Sequence, residues 1–122
     1  MLGGGMRQAG VIAAAGLYAL ENNVARLAED HANAERLATG LRKLGLAVEQ
    51  QTNMVFAAIP AERVPALAEH LKKANVLVLP GARMRLVTHL DVNAAGIDAM
   101  LEATAAYLSR NGRTLARATA QR

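Results

Sequence analysis

From Met6 to about Leu44 the apolar residues recur at steps of three and four: Leu17, Leu20, Val24 and Leu27, then Ala34, Leu37, Leu41 and Leu44. That spacing predicts a helix. Arg26, Glu29, Asp30, Glu35, Arg36 and Arg42 fall between the apolar positions, as an outer face requires. A single long helix is therefore expected over 6–44, stopped at Gly45. Its first part, residues 9–19, is so rich in Ala and Gly that it has no clear polar face. A helix that is apolar all round has to be buried, so this segment calls for a large neighbour.

Residues 54–59 (MVFAAI) form a short apolar run ending at Pro60, which predicts a buried strand. Helical spacing returns over 61–74 through Val64, Leu67, Leu71 and Ala74, closing with Lys72 and Lys73. Residues 76–79 (VLVL) predict a second strand, Pro80-Gly81 a turn, and 83–88 (RMRLVT) a third strand. Asp91 or Asn93 can cap a last helix that carries Ile97, Leu101 and Leu108 and ends near Asn111-Gly112. The expected fold class is α/β, in which a long first helix is followed by a small, partly antiparallel sheet covered by helices. The two later strands are expected to pair across the Pro-Gly turn. Residues 1–112 are expected to form one domain and 113–122 a frayed basic tail.

Composition narrows the classes. The chain has 122 residues, enough for one domain with a real core but short for an enzyme that must also enclose a cofactor. Hydrophobic residues make up 52% and charged residues 20%, so the chain folds rather than staying disordered. With no cysteine, a disulfide framework, a thiolate metal site and a cysteine nucleophile are all excluded. No stretch approaches the ~18 apolar residues of a membrane span, and a cytoplasmic protein is expected. Fourteen basic residues against ten acidic ones give a net charge of +4, with Arg110, Arg113, Arg117 and Arg122 near the end. One Phe, two Tyr and no Trp leave few surfaces on which bases could stack, so nucleic-acid binding is disfavoured.

Two segments could carry chemistry. The first is GGGMR at residues 3–7, which leads straight into the helix. A helix N-terminus offers unpaired N–H groups and a positive dipole end, glycines allow close approach, and Arg7 adds a forked cation, a combination that suits a phosphate. A flexible leader has the same composition, and the spacing and lysine of a P-loop are missing. The second segment is RMRLVTHLD at 83–91, where strand alternation sends Arg83 and Arg85 to one face and Met84 and Leu86 to the other. Beside a cavity, such an arginine is a fork for a carboxylate; on an exposed edge it is a solubilising charge.

The remaining polar residues point away from catalysis. His31, His70 and His89 fall in different elements, and a metal site needs three or four converging ligands. His31 lies between Leu27 and Ala34 and is expected to be partly buried. The single serine, Ser109, is outside any nucleophile elbow. Lys43, Lys72 and Lys73 sit at polar helix ends, where none is desolvated as a Schiff-base lysine must be.

The run GGGMRQAGVIAAAGLYALENNVARLAEDHANAERLA, followed by TNMVF and then RLVTHLD, strongly resembles the C-terminal part of the L-threonine aldolases, within the wider group of β-eliminating lyases. The likeness covers almost the whole chain. It implies the small C-terminal domain of the aspartate-aminotransferase type of fold, pyridoxal phosphate as cofactor, and cleavage of threonine or allo-threonine to glycine and an aldehyde. It implies a homotetramer with sites between subunits, and a large domain against which the Ala-rich start of the long helix would pack. By the same resemblance Arg7 would contact the cofactor phosphate and Arg85 would pair with the substrate α-carboxylate. Asn53 is treated as part of a strand signature, and His89 and Asp91 receive no chemical role. The Schiff-base lysine, the aspartate facing the pyridine nitrogen and the histidine stacked on the ring belong to the family's large domain, and this sequence has no counterpart of them. Met1 is accordingly expected to coincide with an internal methionine of a longer enzyme, and the 122 residues alone to be inactive. The alternative is a non-catalytic module that associates through its apolar first helix.

Overall fold

The computed structural model describes residues 4–111; residues 1–3, Gly112 and the tail expected over 113–122 lie outside the described residues. Its helices are α1 (Ala9–Asn22), α2 (Leu27–Lys43), α3 (Val64–Lys73) and α4 (Ala94–Asn111), and its strands are β1 (Val48–Gln51), β2 (Met54–Ala58) and β3 (Arg83–Val87). The chain order is α1, α2, β1, β2, α3, β3, α4, with a 3₁₀ turn at Ala61–Arg63 leading into α3. The strands form one antiparallel sheet in the order β1-β2-β3. This is the mixed α/β unit the sequence pattern predicts.

The core lies on one side of the sheet. Val55, Ala57 and Met84 point inward and join Leu37 and Leu41 of α2, Leu67 and Leu71 of α3, and Ile97 and Met100 of α4 in a single cluster. Both α2 and α3 stop by the same device. At the end of α2, Gly45 takes φ 87°, its N–H reaches the Arg42 carbonyl at 2.9 Å, and the Leu46 N–H reaches Leu41 at 3.2 Å. At the end of α3, Asn75 takes φ 59° and the Asn75 and Val76 N–H groups reach Lys72 and Leu71 at 3.0 and 2.9 Å. These paired bonds are Schellman motifs, in which a left-handed residue lets the next two amides cover carbonyls that the helix leaves open. At the head of α4 it is Asn93, of the two candidate caps, whose Oδ1 accepts the Gly96 N–H at 3.0 Å.

In place of one helix over 6–44 there are two, separated by a turn at 23–26. Asn22 donates its side-chain amide to the Tyr18 carbonyl at 2.9 Å, a local bond that competes with continuing the helix. No residue of α1 is buried, so no packing opposes the break. The buried stripe of α2 is Asp30, Asn33, Ala34, Leu37, Ala38 and Leu41. That places His31 on the exposed side, contrary to expectation, because the inward stripe begins at Asp30.

The sheet also differs in one strand. The 76–79 segment is extended but pairs with nothing; Val76 and Val78 lean on the core while Leu77 and Leu79 stand 82% and 80% exposed. The pair across Pro80-Gly81 does not form, because the Val76 amide is taken by the end of α3. Instead the hairpin joins β1 and β2 through Thr52-Asn53, with Thr52 at φ 52°. The polar β1 (VEQQ) escaped prediction because an edge strand needs only alternate residues, here Val48 and Gln50, to lean inward. On α4 the buried stripe is Ile97, Met100, Ala103, Thr104 and Tyr107, with Leu101 and Leu108 half-buried at its margin.

Helices α2 and α4 cross closely at Gly40, where a Cβ would lie 2.5 Å from both methyl carbons of Leu101. Gly40→Ala is therefore expected to lower stability by about 1 kcal/mol, overpacking outweighing the helix propensity it gains. Adding Leu101→Ala opens that space, so a double-mutant cycle by urea unfolding is expected to show favourable coupling of about 1 kcal/mol between the two changes.

Candidate functional site

The outer face of the sheet, opposite the core, carries the charges. Along β3 the residues alternate as expected, with Met84 buried and Arg83 and Arg85 exposed. The two arginines differ in their surroundings. Arg83 Nη2 donates to Glu49 Oε2 at 2.8 Å, and its guanidinium lies 4.1 Å from the centre of the Phe56 ring. The solubilising, edge-charge reading thus describes Arg83. Arg85 sits directly across from Phe56 and has no hydrogen bond or ion pair among the described residues. It also lines a cleft of about 490 Å³ between β3, the 75–79 segment and the start of α4, whose other polar walls include Thr88, His89 and Asp91. A forked cation without a partner, beside a cleft with an apolar floor of Ile97 and Met100, is suited to hold a carboxylate.

Several neighbouring motif residues hold the fold together. Thr88 is 1% exposed and donates its hydroxyl to the Asp30 carbonyl at 2.6 Å. The Thr88 amide donates to the Asn53 carbonyl at 3.0 Å, and the Asn53 side-chain amide returns a bond to the Thr88 carbonyl at 2.9 Å. The Asp30 carboxylate, itself almost fully buried, is held by both Arg26 Nη atoms at 2.9 and 3.2 Å. This network ties the starts of α2 and β2 to the end of β3, just past Arg85. Asn53 is therefore a strand-end clamp. His89 and Asp91 are exposed and 3.7 Å apart, and the Asp91 amide donates to His89 Nδ1 at 3.3 Å. His70 Nε2 donates to the Ala103 carbonyl at 3.1 Å, and its ring tilts against Tyr107. Among the described residues no three His, Asp or Glu side chains converge as a metal site requires.

The other predicted site residue, Arg7, lies at the head of α1, and it does not line the Arg85 cleft. Arg7 is exposed and makes no bond among the described residues. The residue before the helix, Gln8, is left-handed at φ 50° and caps nothing with its side chain, and no acidic residue occupies the first turn. The Val11 amide donates to the Gln8 carbonyl at 3.0 Å, which leaves the amides of Ala9 and Gly10 available to an anion. A Cβ added at Gly4, Gly5 or Gly10 would meet nothing within 4 Å, so no wall among the described residues closes over them.

These residues fit one end of a pyridoxal phosphate. Arg7 and the first amides of α1 match its phosphate. They do not fit the other end, since Lys43, Lys72 and Lys73 are all exposed at helix ends and none is desolvated as an imine-forming lysine must be. Glu49 and Phe56 are neighbours of the two arginines that sequence reasoning missed. Only the strand register, Glu49 opposite Phe56 and Phe56 opposite Arg85, brings them into one row.

Comparison with known proteins adds a family. The β-eliminating lyase model matches residues 1–62. The chain is 50% identical over 111 residues to the low specificity L-threonine aldolase of Escherichia coli K12, covering 90% of this chain and 33% of that protein, in its C-terminal part. It is 36% identical over 108 residues to low-specificity L-threonine aldolase 1 of Arabidopsis thaliana, covering 79% of this chain and 29% of that one. The chain thus spans about a third of the length of the curated relatives it matches. A solved structure from Burkholderia pseudomallei, of a protein assigned as an aminotransferase, superposes with a TM-score of 0.56 at 24% identity, over 66% of this chain and 26% of that one. That likeness shows the fold: the helices and small antiparallel sheet are part of an aminotransferase-type architecture.

Stability separates the clamp from the cleft. Asn53→Ala removes the donor from the buried Thr88 carbonyl and is expected to cost about 1–2 kcal/mol in urea unfolding. Arg85→Gln, which breaks no side-chain bond among the described residues, is expected to stay within roughly 0.5 kcal/mol of the parent.

Proposed function

The chain belongs to the β-eliminating lyase family, and on that premise we propose that it forms the carboxy-terminal small domain of a pyridoxal-phosphate-dependent aldolase that cleaves threonine or allo-threonine to glycine and an aldehyde. The identity to threonine aldolases over nine-tenths of the chain supports this reading. The observation that carries it is the unpartnered Arg85 at the cleft.

In this reading Arg85 grips the α-carboxylate through two parallel N–H···O bonds, which fixes the direction of the amino acid as well as its position. Arg7 and the opening amides of α1 hold the cofactor phosphate, in the site of a neighbouring subunit of a homotetramer. The cofactor, when bound, supplies the electron sink for carbon–carbon cleavage. The Asn53–Thr88–Asp30 clamp holds the end of β3 rigid, so that Arg85 keeps its place when the substrate arrives. The all-round apolar surface of α1 is covered by the large domain, and the enzyme works in the cytoplasm, in keeping with a chain free of cysteine.

A second reading rests on α1 alone. Val11, Ile12, Leu17, Tyr18 and Leu20 are each at least 60% exposed, and contiguous apolar surface marks interfaces. A non-catalytic module that associates through this helix would present the same face.

The reading frame upstream of the Met1 codon decides between them. An open frame carrying a serine-lysine motif of the Schiff-base type is expected; an in-frame stop beside Met1 would sink the aldolase reading and favour the module. The purified 122 residues are expected to give no turnover of allo-threonine, and sustained glycine release would contradict the need for a lysine outside them. In the complete enzyme, Arg85→Gln is expected to raise KM for the amino acid by about 10- to 100-fold, the loss of a charge-assisted pair, while cofactor absorbance is unchanged.

A further inference from the structure

We propose that Glu49 is a specificity-determining residue. By holding Arg83 in an ion pair across the Phe56 ring it leaves Arg85 as the single available guanidinium on the outer face of β3, so that the face accepts one carboxylate and discriminates against a substrate with a second anionic group. The inference rests on the reading of Arg85 as a carboxylate anchor and adds the feature that sets what the rest of the substrate can carry.

Strand register makes the arrangement specific. Glu49, Phe56 and Arg85 stand in one row across β1, β2 and β3, and Arg83 lies two residues before Arg85 on the same strand. Two residues at that separation lie about 7 Å apart along a strand with their side chains on the same face. Standing free, two guanidinium groups so close would form a ready site for a dianion, because each adds to the attraction for the same ligand. Arg83 does not stand free. Its guanidinium is laid over the Phe56 ring at 4.1 Å and reaches Glu49 at 2.8 Å, across the sheet toward β1. Its own cross-strand neighbour, Ala58, is too short to compete for it. The aromatic face and the carboxylate thus hold one of two adjacent cations. No such partner reaches Arg85 among the described residues. The Glu49 and Arg83 side chains are 74% and 63% exposed, so removing the carboxylate disturbs no buried packing.

The test uses the 122-residue chain itself, with arginine side-chain Nε–H signals followed by NMR during titration with acetate, which carries one carboxylate, and succinate, which carries two. In the parent chain Arg85 is expected to shift with both ligands and Arg83 with neither. In Glu49→Gln, Arg83 is expected to respond as well, and the ratio of succinate to acetate affinity to rise roughly threefold, the scale on which an exposed ion pair acts. Adding Arg83→Gln to that variant is expected to abolish the rise. If Arg85 responds but the ratio is the same in parent and Glu49→Gln, the masking role is overturned and the carboxylate anchor stands. If Arg85 responds to neither ligand in any variant, the anchor itself fails and the proposal falls with it.

Discussion

The hydroxyl of Thr88, bonded at 2.6 Å to the Asp30 carbonyl, is the contact on which the arrangement of this chain turns. It lies where the end of β3 meets the start of α2, two elements 58 residues apart in sequence. Asn53 closes the same point from β2 with bonds in both directions. A buried hydroxyl held between the carbonyls of Asp30, at 2.6 Å, and Asn53, at 3.3 Å, is a directional constraint, because misalignment leaves buried polar groups unpaired. The sheet is consequently pinned to the helical layer at one corner, and hydrophobic packing fills in behind it. The exposed outer face inherits its geometry from that corner.

Much of this was legible in the sequence. The helical stripes, the MVFAAI and RMRLVT strands and the opposite facing of Met84 and Arg85 follow from periodicity, which is a local property. The errors have a common origin in long-range pairing. Residues 76–79 have the composition of a strand but no neighbour to complete them, since the Schellman turn of α3 takes the first amide and β2 already has a strand on each side. The apolar residues of α2 do not reveal that His31 faces outward, because the first member of the inward stripe is the carboxylate Asp30, which is buried in an ion pair with Arg26. Glu49 and Phe56 had no signal at all, since nothing in VEQQ or MVFAA indicates which residues of another strand will stand opposite.

The candidate site has a corresponding division. Arg7 and Arg85 are exposed and bonded to nothing within the described residues, whereas Arg26, Arg36, Arg42 and Arg83 each have a hydrogen-bond partner. A folding chain gains little from leaving a five-donor fork unengaged. Arg63 and Arg110 likewise have no side-chain hydrogen bond among the described residues, so the lack of a partner does not by itself single out Arg7, at a helix head, and Arg85, beside a cleft.

The turn at 23–26 separates the molecule into parts with different sources of stability. From α2 onward every helix has a buried stripe, whereas α1 has none and depends on its own backbone hydrogen bonds and propensity. Fourteen residues is near the length below which an isolated helix is marginal in water. The coil–helix equilibrium of α1 is thus decoupled from the cooperative unfolding of the core, and whatever covers α1 acquires a stake in that equilibrium. Its association free energy will include the cost of ordering the helix, giving the contact a heat-capacity signature larger than its final footprint would suggest.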